Sequence, residues 1–138
     1  MSTLKVNSIQ NTVGVDLLTP IQSGRAKAWV NFDGTFGSSP FTVSNGGIRN
    51  AFNITSVTDN GTGDYTVTFD NAMPNANYAV ATSHKEDETD ATGSGARPMM
   101  RRGAASFYST TAVRVINSNM TSGAGSDTII FNAIIFGD

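Results

Sequence analysis

The sequence predicts an all-β protein, an antiparallel β-sandwich of jelly-roll-like form that follows an extended N-terminal arm. A hairpin pattern at residues 53–69 is the first reason, because two runs rich in β-branched and aromatic residues flank the turn sequence DNGTGD at 59–64. Thr, Ser, Asn and Gly dominate the composition, and these residues are unfavourable inside helices. Leu and Glu, which favour helices, occur only three and two times in 138 residues. Almost no helix is therefore expected.

The return strand of this hairpin shows which of its faces is buried. Tyr65, Val67 and Phe69 alternate with Thr66 and Thr68, which is the period of two expected for a strand with one buried face. A two-stranded hairpin is marginal in water. The apolar row must therefore be covered by the rest of the chain or by other copies of it.

The chain divides into an arm at residues 1–25 and a β-sandwich domain at residues 26–138. The arm has apolar residues two apart, at Leu4 and Val6 and again at Val13 and Val15, but no segment within it that would cover them. It is either a disordered arm or an anchor that becomes ordered by docking on a larger body or by pairing with identical arms.

The first strand of the domain is predicted at residues 26–33. It places Ala28, Val30 and Phe32 on one face and the only tryptophan, Trp29, on the other, so both faces are expected to make contacts. Gly, Ser and Asn make residues 33–47 a loop with a short extended piece, and residues 85–98 an exposed, mobile loop. Further strands are predicted at residues 48–58, 78–84, 99–108 with a break at Gly103, and 110–117.

The last strand, residues 128–136, is apolar at nearly every position. A run of this kind is typical of a strand that is buried on both faces. One interpretation places one face on the domain interior and the other on a neighbouring subunit, and the alternative is a central strand of a monomeric sandwich. The candidate subunit-contact residues are Ile130, Phe131, Ile134 and Phe136.

The charge and cysteine content exclude several classes of function. The formal net charge is −2 and the basic residues are scattered, so no nucleic-acid partner is expected. The absence of Cys excludes disulfides, thiolate metal sites and a Cys nucleophile. No apolar run is long enough to span a membrane and no signal sequence is recognisable, so we expect a soluble protein without membrane insertion. No cofactor is expected.

The residues suited to catalysis are few. His84 is the only imidazole, and no motif places a nucleophilic Ser beside it. Glu86, Asp87, Glu88 and Asp90 form a carboxylate cluster that would suit a hard cation or the acid and base of a glycosidase. The cluster lacks the spacing of a calcium loop, so the prediction is a solvated surface, no metal site and no enzyme.

A candidate receptor site combines cations with aromatic rings, a pairing that suits sugars through hydrogen bonds, stacking and cation–π contacts. Alternatively, Phe107 belongs to the core and the arginines cap a surface or a subunit contact. The residues of this candidate site are Arg97, Arg101, Arg102, Phe107 and Tyr108.

Three segments resemble a virion module of tailed bacteriophages, especially phages of cyanobacteria and other marine bacteria. They are STLKVNSIQNT at 2–12, AKAWVNFDGT at 26–35, and residues 48–80 with TDNGTGDYTV at their centre. In that family the module occurs in tail-fibre and related appendage proteins. The resemblance covers most of residues 2–80 and carries no catalytic motif.

The resemblance implies a homotrimeric fibre or spike subunit in the virion, made in the host cytoplasm. Its N-terminal segment, with Leu4, Val6 and Ile9, would attach to other virion proteins, and its β-domain would point outward to a host glycan or protein. The chain has no repetitive shaft, so a short tail fibre, an adaptor, or a baseplate or capsid decoration is implied. The alternatives are a small depolymerase-like carbohydrate-active enzyme and a monomeric lectin-like module.

Overall fold

A computed structural model describes residues 24–85, 96–99, 107–119 and 124–137. These residues form eight strands and no helix, which confirms the all-β prediction. Apart from residues 24 and 25, the predicted arm lies outside the described residues. The strands are β1 (Ala28–Phe32), β2 (Ile48–Phe52), β3 (Ile54–Gly61), β4 (Asp64–Phe69), β5 (Ala79–Lys85), β6 (Ala96–Met99), β7 (Ala112–Asn119) and β8 (Ile130–Phe136).

The strands form two antiparallel sheets, which we call the front sheet, in the order β2-β1-β8-β5, and the back sheet, in the order β3-β4-β7-β6. The sheets pack face to face, as predicted for a β-sandwich. The strand order differs from the expected jelly-roll-like form. The pairs β1–β2, β3–β4 and β6–β7 each stay within one sheet, whereas consecutive strands of a jelly roll mostly alternate between its two sheets.

The core between the sheets is built around a cluster of aromatic rings. Phe32 of β1 stacks on Phe131 of β8 at 5.1 Å between ring centroids, and it meets Tyr65 of β4 edge-on at 5.0 Å. Phe41, in the loop before β2, lies 6.0 Å from Phe32. Tilted and edge-on contacts of this kind are the favoured ones. Val67 of β4 packs in the same buried cluster.

The central hairpin is confirmed as β3 and β4. Tyr65, Val67 and Phe69 are all buried, as the alternation predicts. The tip contains Gly61 at φ 127° and Gly63 at φ 70°, a region of backbone space that glycine enters without strain. At Gly63 space is also short, because an added Cβ would lie 2.1 Å from the carbonyl oxygen of Asn117.

One buried hydroxyl ties this hairpin to the loop that leads into β8. The Tyr65 hydroxyl donates to Oδ1 of Asp127 over 2.6 Å and to the carbonyl oxygen of Gly34 over 3.1 Å. The same carboxylate oxygen accepts the backbone N–H of Gly63 over 2.6 Å. Burial, with the hydrogen bond and the charge of Asp127, raises the pKa of Tyr65 well above its usual range. We call this group the tyrosine lock.

The predicted strand at residues 48–58 is in fact two strands that belong to different sheets. Asn53 separates β2 from β3 and has a φ of 55°, a left-handed conformation that Asn tolerates better than most residues. Its side-chain amide donates to the carbonyl oxygens of Lys27 and Asn71, and its Oδ1 accepts the N–H of Asn71. These bonds hold the backbone where it crosses from the front sheet to the back sheet.

One further boundary differs from the sequence prediction. Residues 96–98 were expected in a mobile loop, but they belong to β6, which pairs with β7. Most of the strand predicted at 99–108 lies outside the described residues; Met99 belongs to β6, and Tyr108 forms an isolated bridge with Val113.

Candidate functional site

The outer face of the front sheet carries three of the five large apolar side chains that are exposed among the described residues. On β8, Phe131, Ala133 and Ile135 are fully buried, whereas Ile134 and Phe136 are 40% and 38% exposed. Within a single copy β8 is therefore buried on one face only, so the alternative of a central strand enclosed in a monomeric sandwich is wrong, and the subunit-contact interpretation remains a prediction. Its inner face completes the core and its outer face is open.

An apolar row crosses this face at right angles to the strands. Trp29 of β1 lies opposite Phe52 of β2 on one side and Ile134 of β8 on the other, and Ile134 lies opposite Ala81 of β5. Directly opposite residues of antiparallel strands share a face. Phe52 is 50% exposed and Trp29 is half-buried. We call Phe52, Trp29, Ile134 and Ala81 the apolar row.

A row of neutral polar side chains lies beside the apolar row, two residues further along each strand. Asn31 is opposite both Asn50 and Asn132, and Asn132 is opposite Ser83. The Asn31 amide donates to Oδ1 of Asn132 over 2.6 Å, and the Asn132 amide donates to Oγ of Ser83 over 3.2 Å. We call Asn50, Asn31, Asn132 and Ser83 the amide row.

One atom of the amide row lacks a partner. Oδ1 of Asn31 is shielded from solvent and accepts no hydrogen bond from the described residues. A buried acceptor in this state costs about 1–3 kcal/mol relative to a satisfied one. A shallow depression of about 360 Å³ lies where the two rows meet, with Trp29, Asn31, Ser83, Asn132 and Ile134 in its lining. This depression and the two rows form the candidate site.

Of the five predicted receptor residues, only Phe107 and Tyr108 have described side chains, and these two make separate contacts. The Phe107 ring packs on Arg114 of β7, whose guanidinium carbon lies 5.7 Å from the ring centroid. Tyr108 packs against Tyr78 at 5.0 Å and is half-buried. Arg97 lies opposite Ser118 in the β6–β7 pairing. Arg101 and Arg102 lie outside the described residues.

Arg114 is the cation that contacts Phe107, and the sequence pattern did not identify it. Its guanidinium donates through Nε to Oδ1 of Asp64 over 2.6 Å and through Nη2 to Oδ2 of the same carboxylate. These hydrogen bonds raise the pKa of Arg114, and the charge of Asp64 adds to the effect. Arg114 and Asp64 thus form a partly exposed ion pair with a structural role. Little of the Arg114 charge is left for a ligand.

The residues considered for catalysis form no cluster in the described structure. His84 is half-buried on β5, opposite Phe131, and no carboxylate in residues 24–85, 107–119 or 124–137 hydrogen-bonds to it. Glu86, Asp87, Glu88 and Asp90 lie outside the described residues. Within the described part of the chain, no three His, Cys, Asp or Glu side chains are grouped so that they would hold a metal ion. No helix among these residues is long and apolar enough to cross a membrane.

The four candidate subunit-contact residues divide between the core and the outer face. Phe131 is fully buried against Phe32, which corrects its placement at a subunit contact, because the domain's own interior encloses its ring. Ile134 and Phe136 lie on the open face. Ile130 lies at the opposite end of the same face and is half-buried. The anchoring residues Leu4, Val6 and Ile9 lie outside the described residues.

Comparison with known proteins gives no further identification. No family model matches the chain, and neither a curated protein nor a solved structure matches it. The function is therefore inferred from the site itself and from the resemblance at residues 2–80.

Proposed function

We propose that this chain is a structural and adhesive protein of a bacteriophage particle, a short tail fibre or comparable appendage that takes part in host attachment. The protein is made in the host cytoplasm and becomes part of the virion, where the arm with Leu4, Val6 and Ile9 joins other virion proteins. The resemblance at residues 2–80 supports the assignment to a particle.

The open front-sheet face is the observation that carries the proposal. Phe52, Ile134 and Phe136 are each more than a third exposed on one face, and Trp29 lies among them. Exposed apolar side chains that are grouped on one face beside polar residues are typical of interaction sites. A protein whose role is to assemble and to bind has a use for this face.

In the proposed assembly three copies are arranged around an axis. Each copy contacts the next through two different surfaces, and contacts of this heterologous kind form a ring when the rotation between copies closes. The contact uses the Phe136 end of the face. Phe136 lies two residues beyond Ile134 along β8, outside the apolar row. Phe131 has no part in it, because it is buried. Three copies also present three binding surfaces together, so weak single contacts combine into stronger attachment.

Light scattering coupled to size exclusion tests the assembly. The proposal expects a mass close to three times 14.5 kDa for the chain, and a smaller mass for Phe136→Asp, because a carboxylate in an apolar contact is strongly unfavourable. Val43→Asp is the matched control, since Val43 is 61% exposed in the loop before β2. A wild-type monomer, or a Phe136→Asp variant that folds and keeps the wild-type mass, would contradict the proposed contact.

Antibody labelling of intact particles tests the location. Particles whose genome encodes this chain should bind the antibody at a tail or baseplate structure in electron micrographs. Labelling only in lysate protein that separates from the particles would refute a virion role. This result does not depend on the oligomeric state.

A monomeric lectin-like module is the second candidate function, and the depression beside Trp29 favours it. An aromatic side chain among neutral hydrogen-bonding groups is a common composition for a ligand pocket. The two candidates separate in the scattering experiment, because a lectin-like module would remain near 14.5 kDa while it binds sugar. The depolymerase alternative depends on Glu86 and Asp87, which lie outside the described residues.

A further inference from the structure

We propose that the depression between the apolar row and the amide row is a binding site for a neutral saccharide, with Trp29 as the stacking group and Asn132 and Ser83 as hydrogen-bonding groups. This inference rests on the proposed attachment function for its biological meaning. The proposed sugar site lies on the outer face of the front sheet. It replaces the site that the sequence predicted in the region from Arg97 to Tyr108.

The volume and the lining favour a small ligand of this class. The depression measures about 360 Å³, which lies within the ~300–1,000 Å³ range of small-molecule sites. Its lining side chains are aromatic, aliphatic, amide or hydroxyl groups, and no ionisable side chain is among them. A phosphate or sulfate group would find no cation there, so the ligand is expected to be neutral.

The strand pairing argues against an extended peptide as the occupant. β1 is hydrogen-bonded to β2 and β8, and β8 is hydrogen-bonded to β1 and β5. The backbone donors and acceptors under the depression are therefore already used, and a peptide that binds by adding a strand requires a free sheet edge. Recognition must come from side chains, which suits a ligand whose own hydroxyl groups both donate and accept.

The hydrogen-bond chain in the amide row ends in groups that a sugar can use. Asn31 donates to Asn132, and Asn132 donates to Oγ of Ser83. The Ser83 hydroxyl can then donate its own proton to a ligand oxygen. Oδ1 of Asn31 has no donor among the described residues, but it is shielded from solvent, so Ser83 and Asn132 are the groups assigned to the ligand.

The indole of Trp29 supplies the apolar half of the site. One face of a pyranose ring presents C–H groups, and its rim carries hydroxyls, so it matches an aromatic ring that lies next to amides. Ile134 forms the neighbouring apolar wall. The Phe136 end of the face, which the proposed trimer uses, lies beyond Ile134 along β8, so the two uses of the face occupy different parts of it.

The single tryptophan allows a direct test on the full chain, because Trp29 is the only source of indole fluorescence. The probes are maltotetraose, cellotetraose and chitotetraose, each titrated to about 10 mM, ten times a weak dissociation constant of ~1 mM. We expect at least one of them to change the Trp29 emission in a saturable manner and to protect the indole from acrylamide quenching.

The variants make the assignment specific to this depression. Asn132→Ala should weaken binding about tenfold, since the lost hydrogen bonds leave ligand and protein groups unpaired. Ser83→Ala should weaken it about threefold by the same reasoning. Thr58→Ala, on the back sheet, is the control and should bind as the wild type does. Circular dichroism of each variant verifies that the sandwich is intact.

Three results would overturn the proposal: no probe perturbs Trp29, or binding survives Asn132→Ala unchanged, or the emission responds to protein dilution but not to sugar. The third result would show that a second copy covers the depression. The first two outcomes leave the particle labelling and the scattering mass unchanged, and the third is checked against the scattering mass, which reports self-association directly. A failure of the sugar site is therefore distinguishable from a failure of the proposed function.

Discussion

Replacing Tyr65 with Phe tests the tyrosine lock, the contact that joins the hairpin to the loop leading into β8. The variant keeps the ring and its edge-on contact with Phe32 at 5.0 Å. It removes only the hydroxyl, which donates to Asp127 over 2.6 Å and to Gly34 over 3.1 Å. Any change in stability therefore reports on hydrogen bonding rather than on packing.

The expected magnitude follows from the partners of that hydroxyl. A hydrogen bond to a charged group contributes about 1.5–3 kcal/mol net. The Asp127 carboxylate keeps the N–H of Gly63 at 2.6 Å, so it is not left without a donor, and the middle of the range applies. We expect a loss of about 2 kcal/mol in the free energy of unfolding, which lowers Tm by about 8 °C in a domain of this size.

The pH dependence of the free energy of unfolding provides a second, independent test of the tyrosine lock. The pKa of Tyr65 is raised by burial and by Asp127, so the folded state keeps the phenol protonated where the unfolded state ionises. Its contribution is complete below about pH 10, the unfolded pKa of Tyr. Above that pH it declines by up to about 1.4 kcal/mol per pH unit. The stability gap between wild type and Tyr65→Phe should therefore narrow as the pH rises above about 10.

Urea unfolding followed by circular dichroism, at about pH 7 and about pH 11, measures both effects. Tyr108→Phe is the control, since the Tyr108 hydroxyl has no hydrogen bond to another described residue, and its effect should stay within about 0.5 kcal/mol. If Tyr65→Phe also stays within that limit at neutral pH, or if the gap widens in alkali, the account of the lock is refuted.

Three further tests, two of them comparisons of paired variants, address backbone conformation and burial by urea unfolding or titration. Asn53→Ala should be about 1 kcal/mol less stable than Asn53→Gly, because both lose the side-chain hydrogen bonds but only Ala is strained at a φ of 55°. Gly63→Ala should cost at least ~2 kcal/mol more than Gly61→Ala, since only its Cβ would meet a backbone atom, at 2.1 Å. Burial raises the pKa of Tyr78 to about 12, so its contribution to stability is lost above about pH 10, and Tyr78→Phe should remove the absorbance step near pH 12.

The local strand patterns were predictable because apolar and polar residues alternate along a strand that has one buried face. The hairpin at 53–69 and the strand at 26–33 are found where the alternation places them. The break at Asn53 was not predictable from that pattern, since apolar and β-branched residues continue across it. It depends on hydrogen bonds to Lys27 and Asn71, which are distant in sequence.

The candidate site was predictable only in part, for a related reason. The alternation in β1 placed Trp29 on the face opposite the core, and the structure confirms this position. The amide row could not be seen in the sequence, because Asn31 and Asn132 are 101 positions apart and become neighbours only through the β1–β8 register. The apolar run in β8 likewise predicts a strand without showing whether another layer covers its outer face.

The size of the front-sheet face limits what it can do in an assembly. Four strands spaced about 4.8 Å apart, with a rise of about 3.3 Å per residue over six residues, give roughly 400 Å². A stable specific interface buries about 800 Å² per partner. The face would supply at most half of that area, and a contact confined to its Phe136 end would supply less. The proposed trimer therefore needs contacts from elsewhere, and pairing of identical arms at residues 1–25 is one of the roles that the sequence allows for the arm.

Removal of residues 1–23 tests this division of labour. All eight strands lie within residues 28–136, so the shortened chain should keep the β-sheet circular dichroism of the full chain. We expect it to sediment as a monomer at concentrations where the full chain is proposed to form a trimer, because the remaining area is too small for a stable contact. A shortened chain that remains trimeric would mean that the sandwich alone buries far more surface between copies than its front-sheet face offers.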